Sequence, residues 1–436
     1  MTCAAYSAFG QCREGLADAR PSEKTENSQT KVALIPAPSL STNLVLLPWM
    51  KFAQNLLFWQ ATWFLYMQGE LSAAEAVLLY AIYDVGTTVI EIPSGYMSDR
   101  IGRRITLLLS AASGVAAMTC FALGDTFMVF ATAQILLGAS VAFASGTDSS
   151  LLYESLVSEG RADEVEAQEL RLWRFTFAAL MVSAITGGLA ALAMPVLPFV
   201  LSGLAFVAML GLAVRLQDAP PTREPGDKAV PVGTAVAHAL RQPILLWLFV
   251  LSLLMYAFSH VPFVFGQPFI FDTLALIGLS GEAPLVSGAV TTVMMALSVA
   301  ASFAAPKVRR MLGLAPTLLF AFALQITICA VLALSQSVFA IAILFLRMVP
   351  NSLSRPFILA RTQPLLQDGM RATFLSVQSF CGRVVFALSL WLASRNVSDV
   401  GEMPTDDLSF VLGVYAIAGA ALWIGLATAA RRNPLD

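Results

Sequence analysis

An all-α integral membrane protein, with twelve transmembrane helices in two six-helix bundles, is the fold this sequence predicts. Three observations predict it. Only 12% of the 436 residues are charged and 57% are hydrophobic, where soluble globular chains carry about 25% charged residues. The mean hydropathy of +0.74 leaves too little polarity to cover a water-facing surface. The apolar residues run continuously over about 20 positions, the length a helix needs to cross a bilayer. A membrane β-barrel would instead alternate apolar and polar residues. Together these exclude an ordinary cytosolic enzyme, a nucleic-acid binder and a disordered chain.

Residues 1–40 are polar and lack a basic start followed by an apolar core. They read as a disordered cytoplasmic tail and not as a secretory signal. Apolar spans follow at 46–68, 73–97, 104–123, 127–151, 169–191, 195–215, 243–267, 284–305, 314–334, 337–359, 372–394 and 408–430. Residues 216–242 form the one long polar break, with Pro220, Pro221, Pro225 and Pro231. The expected division is therefore a first bundle at 41–215, a central cytoplasmic loop at 216–242 and a second bundle at 243–432. With the N-terminus placed inside, Arg100, Arg103, Arg104, Arg161, Arg215, Lys307, Arg309, Arg310, Arg361 and Arg371 fall in inside loops. Arg395 alone falls outside. One missed span would invert every later loop and erase this bias, so the asymmetry supports twelve spans with both termini cytoplasmic.

The halves show a faint repeat. Phe130–Ala131 recurs at Phe339–Ala340, and Cys120 at Cys329, both about 209 positions on; the basic turn Ser98–Arg104 has a counterpart at Arg309–Gly313. Duplicated halves are a common transporter plan. The five cysteines show no regular spacing, so neither a disulfide framework nor a metal site is expected.

The loop between spans two and three reads Gly95-Tyr-Met-Ser-Asp99-Arg100-Ile-Gly102-Arg103-Arg104. Gly95 lets a neighbouring helix approach closely. Asp99 can face an arginine or a helix N-terminus, and Gly102 permits a tight turn. The arginines can meet acids on adjacent helix ends, Glu154 among them. The stretch resembles the signature of the major facilitator superfamily, G-x-x-x-D-R-x-G-R-R, at every fixed position. A chance match in a chain this long has odds on the order of 10⁻⁵. The resemblance implies a conformational latch between the halves, formed by Gly95, Asp99, Arg100, Gly102, Arg103 and Arg104, that favours the outward-facing state. The second-half counterpart lacks the aspartate. Span four reads Gln134-Ile-Leu-Leu-Gly138 where proton-using members often carry R-x-x-x-G, and the antiporter pattern G-P-x-x-G-G is not met by Gly187-Gly188.

An ionisable side chain at the bilayer centre costs at least ~2.5 kcal/mol, so each requires a partner or a role. Coupling or gating candidates are Asp84, Glu91, Asp148, Arg174 and His260. Asp84 is either a coupling carboxylate or an ion-pair partner, Glu91 a structural pair, and His260 either a proton carrier or a hydrogen-bonded core residue. Asp148 is expected to pair with Arg174. Arg347 and Arg383 cannot shed their charge, and they suggest a cavity tolerant of anions unless they pair across the halves with Asp84 or Asp148. Candidate substrate-cavity residues are Gln54, Trp59, Gln134, Tyr256, Arg347, Asn351, Gln378 and Arg383. Arg355 continues the polar face of span ten.

The expected function is secondary active transport of a small organic solute by alternating access, with no covalent chemistry, no cofactor and no metal. A proton gradient is the expected drive ahead of sodium, and no Walker loop is present. Uptake, anionic compounds included, ranks ahead of drug or metabolite export; a transporter-like receptor and an intramembrane enzyme rank below both. The expected partners are the solute, a coupling H⁺ and the lipid bilayer, with no nucleic acid. The expected setting is a monomer, multi-pass in the cell (inner) membrane.

Overall fold

Backbone polar groups cannot stay unpaired in hydrocarbon, so a chain this apolar must satisfy them within helices. The computed structural model describes residues 40–61, 63, 66–67, 71, 73–218, 232–275, 278, 283–335, 337–367, 369–394 and 405–432, and every regular element among them is helical. The first half holds α1 (Ser41–Gln54), a 3₁₀ turn at Phe58–Ala61, α2 (Ala73–Ile101), α3 (Arg103–Leu123), α4 (Phe127–Ala144), α5 (Thr147–Ser158), α6 (Val165–Ala193) and α7 (Leu197–Val214). A short α8 (Val232–Ala239) leads to the second half. That half holds α9 (Pro243–Ala275), α10 (Ala283–Leu312), α11 (Leu314–Leu334), α12 (Val338–Leu344), α13 (Val349–Thr362), α14 (Arg371–Ser394) and α15 (Thr405–Arg432).

Nine segments among the described residues are long and apolar enough to cross a membrane. The protein is an integral, multi-pass membrane protein. The other three expected spans have visible reasons for falling short. Span one lies on α1 and the 58–61 turn, and part of it is outside the described residues. Span two is α2, which carries Glu75, Asp84, Glu91, Asp99 and Arg100. Span ten is split between α12 and α13, which are too short singly.

Two expected spans are broken, span ten beside the prolines Pro350 and Pro356 that are able to bend it. Span four is interrupted at Ser145–Gly146, where Gly146 takes φ +73°, and α5 then continues to Ser158. Span ten is interrupted at 345–348, just before Pro350. Proline has no N–H to give a preceding turn. Hydropathy windows see neither break, because both lie within apolar surroundings.

The surface is inverted relative to a soluble protein. Leu192 and Leu334 are 85% and 89% exposed, while Asn43, Thr87, Ser110 and Ser352 are fully buried. The buried polar groups tie helices together. Ser110 and Ser140 each donate to the other's carbonyl, at 2.6 and 2.7 Å, joining α3 to α4. Asn43 of α1 donates to Ser155 Oγ at 2.9 Å and to Gln217 O at 2.8 Å. Trp247 and Trp423 donate to Leu426 O and Leu319 O, at 3.0 and 2.8 Å.

The apolar side chains gather in two main cores. One holds Leu47, Leu107, Phe121, Phe130 and Phe199, and the other holds Leu248, Phe258, Phe322, Phe357 and Leu412. The helix order repeats: α3 packs against α7 as α11 packs against α15. The turns before α3 and α11 repeat as well. Gly102 and Gly313 take φ +119° and +88°. Thr106 and Thr317 each return a hydroxyl to that glycine's carbonyl, at 2.9 and 2.7 Å.

Helix spacing within a half depends on missing side chains. A Cβ on Gly114 would lie 2.6 Å from Phe206 Cε1, whereas Gly211 faces open space. Gly114→Val should therefore cost about 1–3 kcal/mol by overpacking α3 on α7. Thermal unfolding in detergent should show a lowered midpoint for Gly114→Val and an unchanged one for Gly211→Val.

Candidate functional site

The Gly95–Arg104 stretch ends α2 and turns into α3. The side chain of Asp99, on the last turn of α2, is almost fully buried, and its carboxylate points at the first turn of α14. It accepts the N–H of Ala372 at 3.3 Å, the N–H of Thr373 at 2.8 Å and the Thr373 hydroxyl at 2.5 Å. First-turn amides have no partner in their own helix and carry the positive end of its dipole, so a carboxylate there satisfies both. Arg103 meets the same carboxylate at 2.5 Å and reaches Glu154 of α5 at 2.8 Å. Glu154 in turn lies 3.9 Å from Arg371, whose guanidinium sits 4.7 Å above the Tyr153 ring. The chain of charges thus leaves α14 at Thr373 and returns to it at Arg371.

Glycine makes this approach possible. A Cβ on Gly95 would lie 2.5 Å from Ser376 Oγ and 2.9 Å from Ala372 O, and one on Gly146 would lie 2.8 Å from Leu375 Cβ. The remaining motif residues act elsewhere. Arg104 donates its N–H to Asp218 at 2.8 Å and its guanidinium to Val214 O at 2.6 Å, anchoring the turn to the end of α7. Arg100 is exposed over Tyr96.

A second seam joins α6 to α10 and α13. Arg174 donates to Ser302 Oγ and Ser302 O, both at 3.1 Å, and lies 4.1 Å over Phe303. Glu166 and Arg309 approach to 3.8 Å. The expected Asp148–Arg174 pair does not form. Asp148, at the start of α5, is ion-paired with Lys51 of α1 instead, while Arg174 lies on the side of α6 that meets α10.

Deeper in the bundle, Arg383 of α14 lies 2.9 Å from Asp84 and 3.4 Å from Glu91, both on α2. Its guanidinium is 5.8 Å from the Tyr256 ring. One of the two arginines offered for an anion is therefore shared by two acids. Arg347 sits in the turn between α12 and α13, beside Asn351, which donates to Met348 Sδ at 3.5 Å. His260 Nδ1 lies 2.8 Å from Tyr256 O, with the ring stacked 4.1 Å from that of Tyr256, an arrangement held by α9 itself. Gln54 accepts from Lys51 at 3.3 Å. Trp59 stacks on Phe199, and Gln134 is buried on α4, so both lie within the first half. Gln378 Nε2 is buried on α14 with no hydrogen-bond partner among the described residues.

Three participants escaped sequence reading. Lys51 was legible as a cation inside span one. Glu169 is the first residue of span five; it is 1% exposed, with Ser149 Oγ 3.4 Å away. Thr373 carries no sequence signal at all, because its role depends on which helix arrives opposite Asp99. Among the described residues no group of three or more His, Cys, Asp or Glu side chains could hold a metal ion.

The family model of the Major Facilitator Superfamily matches residues 39–390. The chain belongs to the major facilitator superfamily. Among solved structures, a bacterial homologue of the iron transporter ferroportin, in the outward-facing state with soaked iron, is 19% identical. That alignment covers 89% of this chain and 99% of that one, with a TM-score of 0.63. The nucleoside transporter NupG is 14% identical, covering 89% and 98%, with a TM-score of 0.59. A mutant of NupG gives 13% identity, 88% and 99% coverage and a TM-score of 0.62. A search of curated protein sequences finds no match. As a member of this superfamily the protein is a lipid-embedded secondary transporter of small molecules and not an enzyme.

Two outcomes follow from the charges. Asp99→Ala strips two amides and Arg103 of their acceptor and should weaken the α2–α14 contact by about 1–3 kcal/mol. With the five native cysteines replaced, Ser376→Cys should then react about tenfold faster with an impermeant maleimide on the Gly95–Arg104 side. An unchanged rate would mean that Asp99 does not hold the seam. Lys51→Met leaves Asp148 buried without its cation and should cost about 3–5 kcal/mol. Adding Asp148→Asn should recover over half of that loss in detergent unfolding.

Proposed function

We propose that the protein is a proton-coupled transporter that takes up a small organic solute by alternating access. Its twelve spans form two six-helix bundles, 41–215 and 243–432, linked by a cytoplasmic loop at 216–242 and preceded by a cytoplasmic tail at 1–40. Both termini are cytoplasmic, and the protein works as a monomer in the cell (inner) membrane. The two hydrophobic cores, the matched glycine turns and the breaks in spans four and ten support two duplicated halves.

The observation that carries the reading is the clasp of Asp99 on the first turn of α14. It joins the first half to the second at the end where the arginines crowd. Closing that end leaves the opposite end to admit solute, which is the outward-facing pose of the cycle. In this reading Gly95, Asp99, Gly102 and Arg103 are the latch, with Arg104 and Arg100 bracing its turn. Asp84 and Glu91 with Arg383 gate the α2–α14 seam, and Arg174 gates the seam between α6 and α10.

The named cargoes of the similar structures, a nucleoside and iron, differ in charge and size, so fold likeness does not choose a cargo. Arg347 and Arg355, near the break in span ten, support a solute bearing an anionic group. Tyr256, Asn351 and Gln378 are the polar groups proposed to line its path.

Flux tests the reading. Candidate solutes are first ranked by thermal stabilisation of the purified protein. In proteoliposomes the best of them should accumulate when the lumen is alkaline, and the gradient should collapse on adding a protonophore. Accumulation only with an acidic lumen would reverse the direction to export. Accumulation indifferent to the protonophore would end the proton assignment.

A further inference from the structure

Glu169 projects from α6 into the contact with α1, α5 and α13, and its side chain is almost wholly buried. Its one hydrogen bond among the described residues is long: Ser149 Oγ donates to Oε2 across 3.4 Å, and Oε1 has no hydrogen-bond partner among them. The charged groups that act on it are Asp148 of α5, Lys51 of α1 and Arg355 of α13. Lys51 is committed to Asp148, whose other oxygen accepts the Ser149 N–H at 2.7 Å.

Several other charges around α6 have partners of their own, and Lys307 and Arg310 lie with Arg309 towards the end of α10. Glu166 approaches Arg309 of α10, Arg174 is bonded to Ser302, and Glu164 is paired with Arg161. Arg171 lies over Phe175. Arg361 of α13 and Asp163 border the groove beside Glu166. Neither α7 nor the 58–61 turn carries a titratable side chain.

Arg355 differs from these cations. Its side chain is exposed, its guanidinium rests 5.6 Å over the Trp173 ring of α6, and it makes no ion pair among the described residues. A buried carboxylate with one long hydrogen bond and its nearest lysine already taken has too little to replace its hydration. The neutral acid makes no such demand.

We propose that Glu169 carries the coupling proton of this transporter and that Arg355 is the cation that meets it once the proton leaves. This rests on the proton-coupled reading above. In the pose described here Glu169 is the neutral acid. On release its O–H bond breaks, the proton passes to water, and the electron pair stays on the carboxylate. Arg355 then exchanges the Trp173 ring for that carboxylate. Because α6 belongs to the first half and α13 to the second, the new pair draws the halves together along this seam, and rebinding a proton lets them part. Asp148 and Lys51 remain paired throughout.

The test needs no solute. Infrared difference spectra of the full chain in lipid nanodiscs are recorded as the pH is raised. Wild type should show a protonated-carboxyl C=O band that disappears on titration. The band should be missing in Glu169→Gln, moved in frequency but present in Glu169→Asp, and retained in Asp84→Asn. Arg355→Gln should hold the band to a pH higher by about one unit or more, since the carboxylate loses its cation. A wild-type spectrum without a titrating band, or a band that survives Glu169→Gln, overturns the assignment. If Glu169→Gln does not fold, an unmoved band in Glu169→Asp overturns it equally. An unmoved titration in Arg355→Gln removes Arg355 from the exchange. Flux that ignores the proton gradient would end proton coupling itself, whichever residue owns the band, so the two failures are distinguishable.

Discussion

A charge buried in the bundle or inside a hydrocarbon layer must find an opposite charge, a dipole or a proton. That constraint organises this molecule more than any single contact. Asp99 meets the dipole and free amides of α14, Arg383 meets two acids of α2, Asp148 meets Lys51, and Arg103 is shared by Asp99 and Glu154. Several of these partnerships cross between the halves. The charges therefore do more than stabilise a packed bundle; they decide which surfaces of the two halves can meet.

Apolar packing plays a different part. Each half has its own core, and within a half serine-to-carbonyl bonds and glycine contacts bring helices close. Lipid is as apolar as leucine, so such close fits rather than a hydrophobic drive hold membrane helices together. Between the halves a small apolar cluster, Phe177 with Met294 and Met295, is joined by polar and local contacts: a helix N-terminus, a serine, a few arginines. Polar contacts can be exchanged for others of similar strength, which suits a seam that must open and close. A continuous apolar interface would have to be exposed and reburied on each cycle.

Contacts are legible in the sequence where a residue's type already implies its need. Gly95 and Gly102 announced close approach and a tight turn, and the structure has both. Glu154 was a candidate for the motif arginines and is the partner of Arg103. Contacts are not legible where the choice lies between equivalent partners. Asp148 was matched with Arg174 because both lie at the junction of spans four and five. The break at Gly146 instead presents Asp148 to α1, where Lys51 waits. Glu169 carries no such signal, because a charge at a span boundary looks solvated until the neighbouring helices are in place.

Composition, span lengths and the placement of arginine were enough to determine that this chain is helical and embedded in lipid. The ten-residue turn was enough to determine its family. These properties follow from local chemistry, since each apolar run must hide its own backbone. Which acid faces which base was decided only by tertiary structure. A helix presents its side chains all around its axis, and the facing partner depends on rotation, on breaks such as those at Gly146 and 345–348, and on helices hundreds of residues away.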